Sequence, residues 1–556
     1  MIKEIIRFDG GLSTKTSSHL IGTNEGIICE NVNLETGVLT PLSSLSYIQD
    51  VDGRHIYTID DNIVSNQDAT DDRFYTEYSN RLYWSNANYG DYGLMKYDGT
   101  SIGANAEAPD TSTTLAANIT DIIISEYTDT DSAGQLTFGA TYNYAFTLVD
   151  EDGIESAPVY HPTSISINNT GKESVKISIL ETDIPNVLPA GHTMNVYRIG
   201  GNNPTYNLVN EGLTPTSGFV CDVGYKCIRD NTADINVSRI ELTTSENTPP
   251  TDRLDMLIEK KGTFWGAYAD RVYFSRVGSP EFWGQLDYIK LDKECTGLGK
   301  FGDYILAFTR TNTYLISGDT RDTVNLQRLP HNQGCVNKYS VVNIDSYILW
   351  TSMNGVCLFD GSNIQVLTKK TLSWDEFGRL GNVTYEDFDG TIERWNTDKG
   401  YDVRYAVGYQ DKYYGVFQDG ILVIDISNGL KVSTITVPNV TSLHFNRVDN
   451  ALYVVVDNDG TYEVYILSDS DSKMVATWKT GRLVGESPDI KKHFRQVELD
   501  GEPERVEVFI DGVSRFISHK GKFMLPAGMI GRDIQFEIKT TNEIRAMKYQ
   551  YSLMKG

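Results

Sequence analysis

One stretch of the sequence gathers tryptophans and carboxylates that could act on a sugar. It contains Trp374, Asp375, Glu376, Glu386, Asp387, Asp389 and Trp395. A glycosidase needs two carboxylates held across a cleft, one of them acting as the acid. Closeness along the chain does not place two carboxylates across a cleft, and the surrounding residues are polar. A solvated loop is therefore the favoured interpretation. A glycan-binding or depolymerase cleft built on Trp374, Glu376, Glu386 and Trp395 is the alternative.

A second stretch, ADRVYFSRVGSPEFWG from Ala269 to Gly284, mixes four aromatic residues with charges. The alternation from Arg271 to Ser275 predicts a strand, and the Gly278-Ser-Pro280 sequence predicts the turn that ends it. Phe282 and Trp283 are then expected to fold back over the edge of the sheet. Packing inside the fold is favoured for these aromatics, and a platform for a sugar is the alternative.

The common catalytic and metal-binding patterns are not found elsewhere in the sequence. It holds no HExxH, no GxSxG on a strand-to-helix turn, no GxxxxGK[ST] and no CxxC pair. Asp457-Asn-Asp-Gly460 resembles part of a calcium loop but lacks the distal glutamate, so a hairpin turn is favoured. We therefore expect neither enzymatic activity nor a cofactor nor a bound metal.

The composition indicates a folded chain whose acidity favours solubility or, alternatively, a surface that does not bind DNA. The 556 residues carry a formal charge of −26, and lysine and arginine are scattered, whereas non-specific DNA binding needs basic patches. No apolar run is long enough for a membrane helix, and the N-terminal residues lack the apolar core of a secretory signal. The six cysteines are expected to be reduced thiols of a protein made in the cytoplasm. Only Cys221 and Cys227 are close enough to suggest a local pair, which the sequence leaves open.

Short alternating strands joined by Asp-Gly, Asn-Gly or similar turns recur along the chain. Examples are 55–66, 81–99, 271–278, 303–319, 346–367, 412–429 and 451–469. Each of these segments is typical of a hairpin, and the uninterrupted ones recur roughly every 40 residues, the spacing of propeller blades. A single hairpin cannot bury its own face, so stacked units must share a core. The sequence therefore predicts an all-β chain built on an interrupted β-propeller of six or seven blades.

Insertions divide the predicted propeller. Residues 1–117 are expected to form an N-terminal segment and the first blades, and 248–479 the remaining blades, with a loop insertion at 369–400. The segment 118–247 contains GATYNYAFTLVDEDGIESAP, which resembles the late strands of a fibronectin type III-like β-sandwich. Residues 480–556 alternate apolar and charged residues through several strands, which predicts a small C-terminal β domain.

Three segments together resemble tail nozzle, or tail tubular, proteins of short-tailed bacteriophages, including the packaged-DNA stabilisation proteins. The first, Arg7 to Leu42, carries the pattern N-V-x-L-x-x-G-x-L-x-P at 31–41. The second is DRVYFSRVGSPEFW, and the third is the closing GRDIQFEIKTTNEIRAMKYQYSL. The expected basic residue after Pro41 is replaced by Leu42-Ser-Ser, a departure from the pattern of any one subfamily.

The resemblance implies a structural virion protein of the tail. Such proteins are propellers arranged in a ring, usually of six copies, whose channel retains and conducts genomic DNA. Expected partners are other copies of the chain, portal and adaptor proteins, tail fibres and passing double-stranded DNA, which is not bound specifically. Six copies would carry six times the charge of −26, and an acidic wall repels phosphate. The loop from Trp374 to Trp395 is our candidate for a channel constriction or gate. A cellular propeller acting as an interaction scaffold is a further alternative, but it gives no reason for the phage-like ends.

Overall fold

A computed structural model gives the fold. It describes residues 2–15, 17–59, 62–65, 73–86, 93–97, 104–105, 115–127, 134–168, 173–210, 221–372, 384–386, 392–394, 404–417, 420–427, 429–467, 470–485 and 488–554. Strands dominate these residues, as the sequence predicts. The helical elements are one α-helical turn, Ile184–Val187, and the 3-10 turns Ile119–Asp121, Asp234–Asn236, Lys338–Ser340 and Thr368–Lys370. In this part of the chain no helix has the length and apolar character needed to span a membrane.

The described residues form seven antiparallel blades, numbered here in chain order. Blade 1 is Ile56–Ile59 and Asn62–Ser65; blade 2 is Phe74–Tyr78, Arg81–Ser85, Leu94–Lys96 and Ala104–Asn105; blade 3 is Met256–Lys260, Thr263–Tyr268, Arg271–Phe274 and Tyr288–Lys290; blade 4 is Gly297–Phe301, Tyr304–Phe308, Thr313–Ser317 and Asn325–Arg328; blade 5 is Val342–Ile344, Tyr347–Ser352, Gly355–Phe359 and Ile364–Val366; blade 6 is Tyr405–Tyr409, Lys412–Phe417, Gly420–Asp425 and Lys431–Ile435; blade 7 is Val440–Asn446, Ala451–Asn458, Thr461–Leu467 and Leu45–Val51. The interrupted propeller is thus confirmed.

Both faces of a blade are buried, which explains why its strands are apolar almost throughout. In blade 6, Tyr413 and Leu422 belong to a core shared with blade 5. Their neighbours Tyr414 and Val423 point the other way and pack against blade 7. Alternating side chains therefore connect each blade to the blades on both sides.

The ring of blades closes through residues from both ends of the propeller sequence. The innermost strands of blades 2 to 7 contact one another in order, and that of blade 7 contacts that of blade 1. Blades 1 and 2 share a small core that includes Ile59, Val64 and Leu82. Blade 7 takes its outermost strand, Leu45–Val51, from the N-terminal side of the chain, paired antiparallel with Thr461–Leu467. Opening the ring therefore requires breaking a strand ladder between distant parts of the sequence.

A β-sandwich is inserted between blades 2 and 3. One sheet consists of Ile122–Tyr127, Ser174–Leu180 and Tyr225–Asp230; the other consists of Thr141–Val149, Val159–Tyr160, Ile165–Ser166, Thr193–Gly200 and Asn203–Asn210. The two sheets enclose one apolar core. Asp152 joins the sandwich to blade 2, because its carboxylate accepts from Arg81 at 2.9 Å and from Lys96 at 2.6 Å.

A second sandwich combines the two ends of the chain. Its first sheet consists of Ile2–Ile6, Met547–Leu553, Lys492–Leu499, Lys522–Met524 and Ile530–Gly531; its second consists of Gly11–Leu12, Glu25–Glu30, Ala476–Thr480, Ile534–Thr540, Arg505–Ile510 and Val513–Ser518. We call this unit the terminal sandwich. The N-terminal strands, which the sequence interpretation grouped with the first blades, belong to this unit. Long-range pairing across more than 500 residues carries no local sequence signal.

The terminal sandwich is continuous with the propeller. Glu30 pairs with Thr434 in the outermost strand of blade 6, so the second sheet extends the blade edge to edge. Asn31 follows with φ of 57° and is almost fully buried. Its side-chain amide donates to the carbonyl of Val475 at 3.0 Å and accepts from the N–H of Thr436 at 2.8 Å. Asparagine tolerates this left-handed conformation better than most residues, which accounts for its place in the N-terminal motif.

The cysteines correct one expectation. Cys221 and Cys227 form a disulfide, with Cα atoms 5.6 Å apart, so the expectation of reduced thiols is wrong for this pair. The turn at Val223–Gly224 brings the two residues within bonding range. Cys29, Cys295, Cys335 and Cys357 are buried free thiols. Burial raises the pKa of Cys295, Cys335 and Cys357 to about 12, so these three are not nucleophiles at neutral pH.

Candidate functional site

The predicted gate loop falls largely outside the described residues. Trp374, Asp375, Glu376, Asp387, Asp389 and Trp395 all lie there. The backbone of Glu386 ends a short strand, Thr384–Glu386, that pairs antiparallel with Ile392–Arg394. The carboxylate and tryptophan cluster therefore remains a prediction, both as a gate and as a sugar site.

A different group of side chains meets on the propeller axis. It consists of His55, Phe74, Asp255, Lys338, Tyr339 and Tyr405, and we call it the axial cluster. Each member either begins an innermost strand or lies within four residues before one. Because the innermost strands of a propeller surround the axis and run in the same direction, their first residues gather at one face. The sequence interpretation missed this cluster. It could have been found from the position of each of its residues at, or just before, the first strand of a blade.

The aromatic members of the axial cluster are stacked. Phe74 and Tyr339 have ring centroids 4.6 Å apart and planes 16° apart, and Tyr339 is stacked on Tyr405 at 5.9 Å and 20°. His55 meets the edge of Tyr405 at 4.8 Å. The backbone N–H of Arg73 donates to Nδ1 of His55 at 3.3 Å, so a neutral ring carries its proton on Nε2.

One ion pair completes the cluster. Nζ of Lys338 lies 2.5 Å from a carboxylate oxygen of Asp255, which precedes the innermost strand of blade 3. The same ammonium lies 5.2 Å from the ring centroid of Tyr339 and 5.8 Å from that of Phe74. A cation at this distance from an aromatic face is held by the ring quadrupole as well as by its counter-ion.

These contacts cross the axis. Phe74 belongs to blade 2, and Tyr339 precedes blade 5, three positions away in a ring of seven. No two blades of such a ring are farther apart, so a stacked pair between them must occupy the axis. The axial cluster therefore closes the channel of the single propeller at this face.

The turns at the opposite face of the propeller carry several aspartates. Those that follow the innermost strands of blades 4 to 7 contain Asp303, Asp345, Asp411 and Asp449, while Lys261 and Arg447 lie in the turns of blades 3 and 7. Asp345 hydrogen-bonds the carboxyl of Asp411 and raises its pKa, which shows that two of these turns bring like charges together. Asp303 is instead paired with Lys261 of blade 3.

The aromatic stretch near Trp283 has the packing role that the sequence favoured. Trp283 is 1% exposed and lies in a core between blades 2 and 3 with Tyr83, Leu257 and Phe264. Its indole N–H donates to the carbonyl of Pro280 at 2.8 Å. The ring is therefore enclosed and hydrogen-bonded within the fold, which leaves no face for a sugar.

The predicted hairpin at Asp457-Asn-Asp-Gly460 is also confirmed. Asp459 and Gly460 have φ of 52° and 91°, and the N–H of Gly460 donates to the Asp457 carboxylate at 2.7 Å. This carboxylate satisfies its own turn, as expected of a hairpin. Across the described residues, no group of three or more metal-binding side chains comes together.

The N-terminal motif connects the propeller to the terminal sandwich. Val32–Asn33 pairs with Thr40–Pro41 as a hairpin, and its turn residue Gly37 has φ of 73°. Leu39 exchanges two backbone hydrogen bonds, of 3.0 and 3.1 Å, with Ile544 in the closing segment of the chain. Two of the three segments that resemble nozzle proteins are therefore in direct contact.

Comparison with known proteins gives no family. No protein-family model and no curated protein matches the chain. Among solved structures, the chain is similar to the WD40 domain of Pan2 from Neurospora crassa, with 11% identity, a TM-score of 0.26 and coverage of 54% of this chain and 88% of that one. It is also similar to the Dos1 propeller, with 12% identity, a TM-score of 0.25 and coverage of 59% and 75%. These similarities are too weak to carry any argument about function.

Proposed function

We propose that this protein is a structural, non-enzymatic component of a bacteriophage tail. It assembles with copies of itself into a ring, six copies being expected, and the ring retains and conducts genomic DNA. Portal or adaptor proteins above the ring and fibres or other tail proteins beside it are the proposed partners. The protein is made in the host cytoplasm and functions in the virion.

The supporting observation is the position of the three nozzle-like segments. The hairpin at 31–41 contacts the closing segment through Leu39 and Ile544, and the middle segment places Trp283 between blades 2 and 3. All three therefore hold blades and sandwiches together. A tail component under the load of packaged DNA needs a scaffold of this kind.

The axial cluster supports a path for DNA between copies of the chain and not along the axis of one propeller. The stacked pair Phe74 and Tyr339 fills the axis of the single propeller, so a duplex cannot thread one chain. The conduit must then be the space enclosed by several copies. An acidic wall suits that space, because it repels phosphate where a basic wall would hold the duplex by counterion release.

Electron microscopy and native mass spectrometry of the purified full-length chain test the proposal. Rings with a central hole, and a mass equal to a small multiple of the 62.2 kDa chain, would support it. A duplex of mixed sequence should not bind at physiological salt in a gel-shift assay. A chain that stays monomeric at every concentration and binds a polysaccharide array would contradict the proposal and favour the glycan-binding alternative.

A charge-reversal variant makes the DNA result specific. Asp411→Lys changes one of the acidic turns, and Asp222→Lys, on the inserted sandwich, makes the same change of charge at an exposed site far from it along the chain. If the acidic turns face the conduit, duplex binding appears or strengthens in rings of the Asp411→Lys variant only. Equal binding by both variants would show that charge anywhere on the surface suffices.

A further inference from the structure

A cavity of about 470 Å³ lies between blades 6 and 7, apart from the axis and the predicted gate loop. The hairpin at 32–41 forms its third wall. The volume is in the range of small-molecule sites. None of the roles discussed so far uses this cavity.

The strand register of blade 6 explains the polar lining of the cavity. Lys412 lies opposite Tyr409 and Asp425, and Asp425 lies opposite Lys431, so these four side chains form one row across the sheet. The next row on the same face contains Tyr414. Deeper rows are apolar and pack against blade 7. The polar row therefore lies beyond the apolar contact between blades 6 and 7, where the cavity separates the two blades.

Two polar atoms in this wall are open to the cavity and have no hydrogen-bond partner within the described residues. Tyr414 is 6% exposed, and its hydroxyl makes no hydrogen bond there. Asp425 is 5% exposed; its Oδ1 accepts from the N–H and hydroxyl of Ser427 at 2.9 and 2.7 Å, while Oδ2 accepts from none of these residues. Both atoms can therefore bind water in the cavity or exchange it for a polar group of a ligand.

Each of the three lysines that line the cavity is held in place by a contact with the hairpin or the segment that follows it. Lys412 contacts the carboxylate of Glu35, Lys431 donates to the carbonyl of Leu34 at 3.0 Å, and Lys473 donates to the hydroxyl of Ser43 at 2.8 Å. An ammonium has three N–H groups, so each retains donors beyond these contacts. Burial raises the pKa of Tyr414 well above its ordinary value, so its hydroxyl keeps its proton and can both donate and accept.

We propose that this cavity binds a polyhydroxylated ligand of about the size of a hexose, such as one residue of a glycan. The charged lining residues are three lysines and three acids, so the wall has no net charge and does not select an anion. It instead offers donors beside acceptors, the combination that sugar hydroxyls need because each hydroxyl does both. The rings of Tyr409 and Tyr414 add apolar surface. This site does not depend on ring assembly or on DNA.

A pair of neighbouring tyrosines provides matched variants. Tyr414→Phe removes a hydroxyl that is open to the cavity and has no described hydrogen-bond partner, so the melting temperature should stay the same. Tyr413→Phe removes a hydroxyl that donates to the carbonyl of Ser340 at 3.2 Å on the other face of the strand, so stability should fall and binding should not change. The two variants therefore separate the loss of a ligand contact from damage to the fold.

The binding experiment uses glucose, galactose, N-acetylglucosamine and ribitol, each tested by saturation-transfer NMR and crystal soaking on the full-length chain. We expect at least one to bind in the cavity and Tyr414→Phe to weaken it by roughly 3- to 10-fold, the effect of one neutral hydrogen bond. The proposal fails if none of the four binds, or if binding is unaffected by Tyr414→Phe. Binding of inorganic phosphate alone would overturn it in favour of an anion site.

Discussion

Replacing Arg198 by methionine should destabilise the inserted sandwich far more than an ordinary surface substitution. The side chain of Arg198 is completely buried between the two sheets. Its guanidinium donates to Asp230 at 2.7 and 2.8 Å, to Asp234 at 3.2 Å and to the carbonyl of Thr232 at 3.1 Å. It is the cation that balances two buried carboxylates.

The size of the effect follows from what the variant leaves behind. In Arg198→Met, Asp230 keeps the hydroxyl of Tyr144 at 2.7 Å, and Asp234 keeps that of Tyr142 at 3.0 Å, but neither has a counter-charge. Removing one partner of a buried ion pair costs about 3–5 kcal/mol, mostly because the other charge is stranded. Opening of the sandwich should then become about 10²- to 10⁴-fold more frequent, at 1.36 kcal/mol for each factor of ten.

Hydrogen exchange measured by mass spectrometry on the full-length chain can detect this change locally. Protection should fall in the strands Thr193–Gly200 and Tyr225–Asp230, while the blades are unaffected. Lys176→Met is the matched control in the same sandwich, because its partner Asp222 is 70% exposed and such pairs contribute about 0–1 kcal/mol. Equal loss of protection in the two variants would refute the assignment of Arg198 as the essential counter-charge.

Three further predictions concern the propeller. Trp283→Ala should cost about 3–5 kcal/mol of stability through the cavity left between blades 2 and 3, and hydrogen exchange should increase in both blades. Phe282→Ala should cost less, because Phe282 is only half-buried. Burial lowers the pKa of His444 to about 3, so the unfolded chain binds a proton at this histidine before the folded chain does. The protein should therefore lose stability as the pH falls from about 6.5 towards 3. The His444→Gln variant should show a flatter dependence of melting temperature on pH in this range. The hydrogen bond from Asp345 raises the pKa of Asp411, so the contact stabilises the fold below the ordinary pKa of 3.8 and weakens as the pH rises through the raised value. The Asp411→Asn variant should therefore have a higher melting temperature than the unsubstituted protein at neutral pH. The difference should vanish at low pH.

The blades were predictable because their signals are local. The turn at Asp459-Gly460 requires residues that accept positive φ, and the flanking strands are runs of eight and seven residues rich in valine, tyrosine and leucine. The same holds for the strand at Arg271 and the turn at Gly278. Each of these features is determined by neighbours within about ten positions, so a single sequence contains the information.

The sites depend on residues that the sequence keeps far apart. Lys412 contacts Glu35 across 377 positions, and Phe74 is stacked on Tyr339 across the whole propeller. Neither pair has a characteristic spacing, because the separation depends on insertions between blades. Arg198 illustrates the same limit: in the sequence it is one charge in a strand, and its burial is visible only when both sheets are present.

The way the chain closes bears on the proposed ring. The N-terminal strand Ile2–Ile6 pairs with Met547–Leu553, and Leu45–Val51 completes blade 7, so both ends of the sequence are fixed in the same body. Such a body resists opening as a unit, since separating either end breaks a full strand ladder. With its own axis closed by the stacked pair Phe74 and Tyr339, the propeller can serve a conduit only as a wall. A propeller whose axis were opened, for example by Phe74→Ala with Tyr339→Ala, should then assemble into the same ring, because the proposed conduit lies between copies and not along the axis of one propeller. If this variant lost ring assembly while its blades stayed folded, the axial cluster would be an assembly contact and the conduit argument would need a different basis.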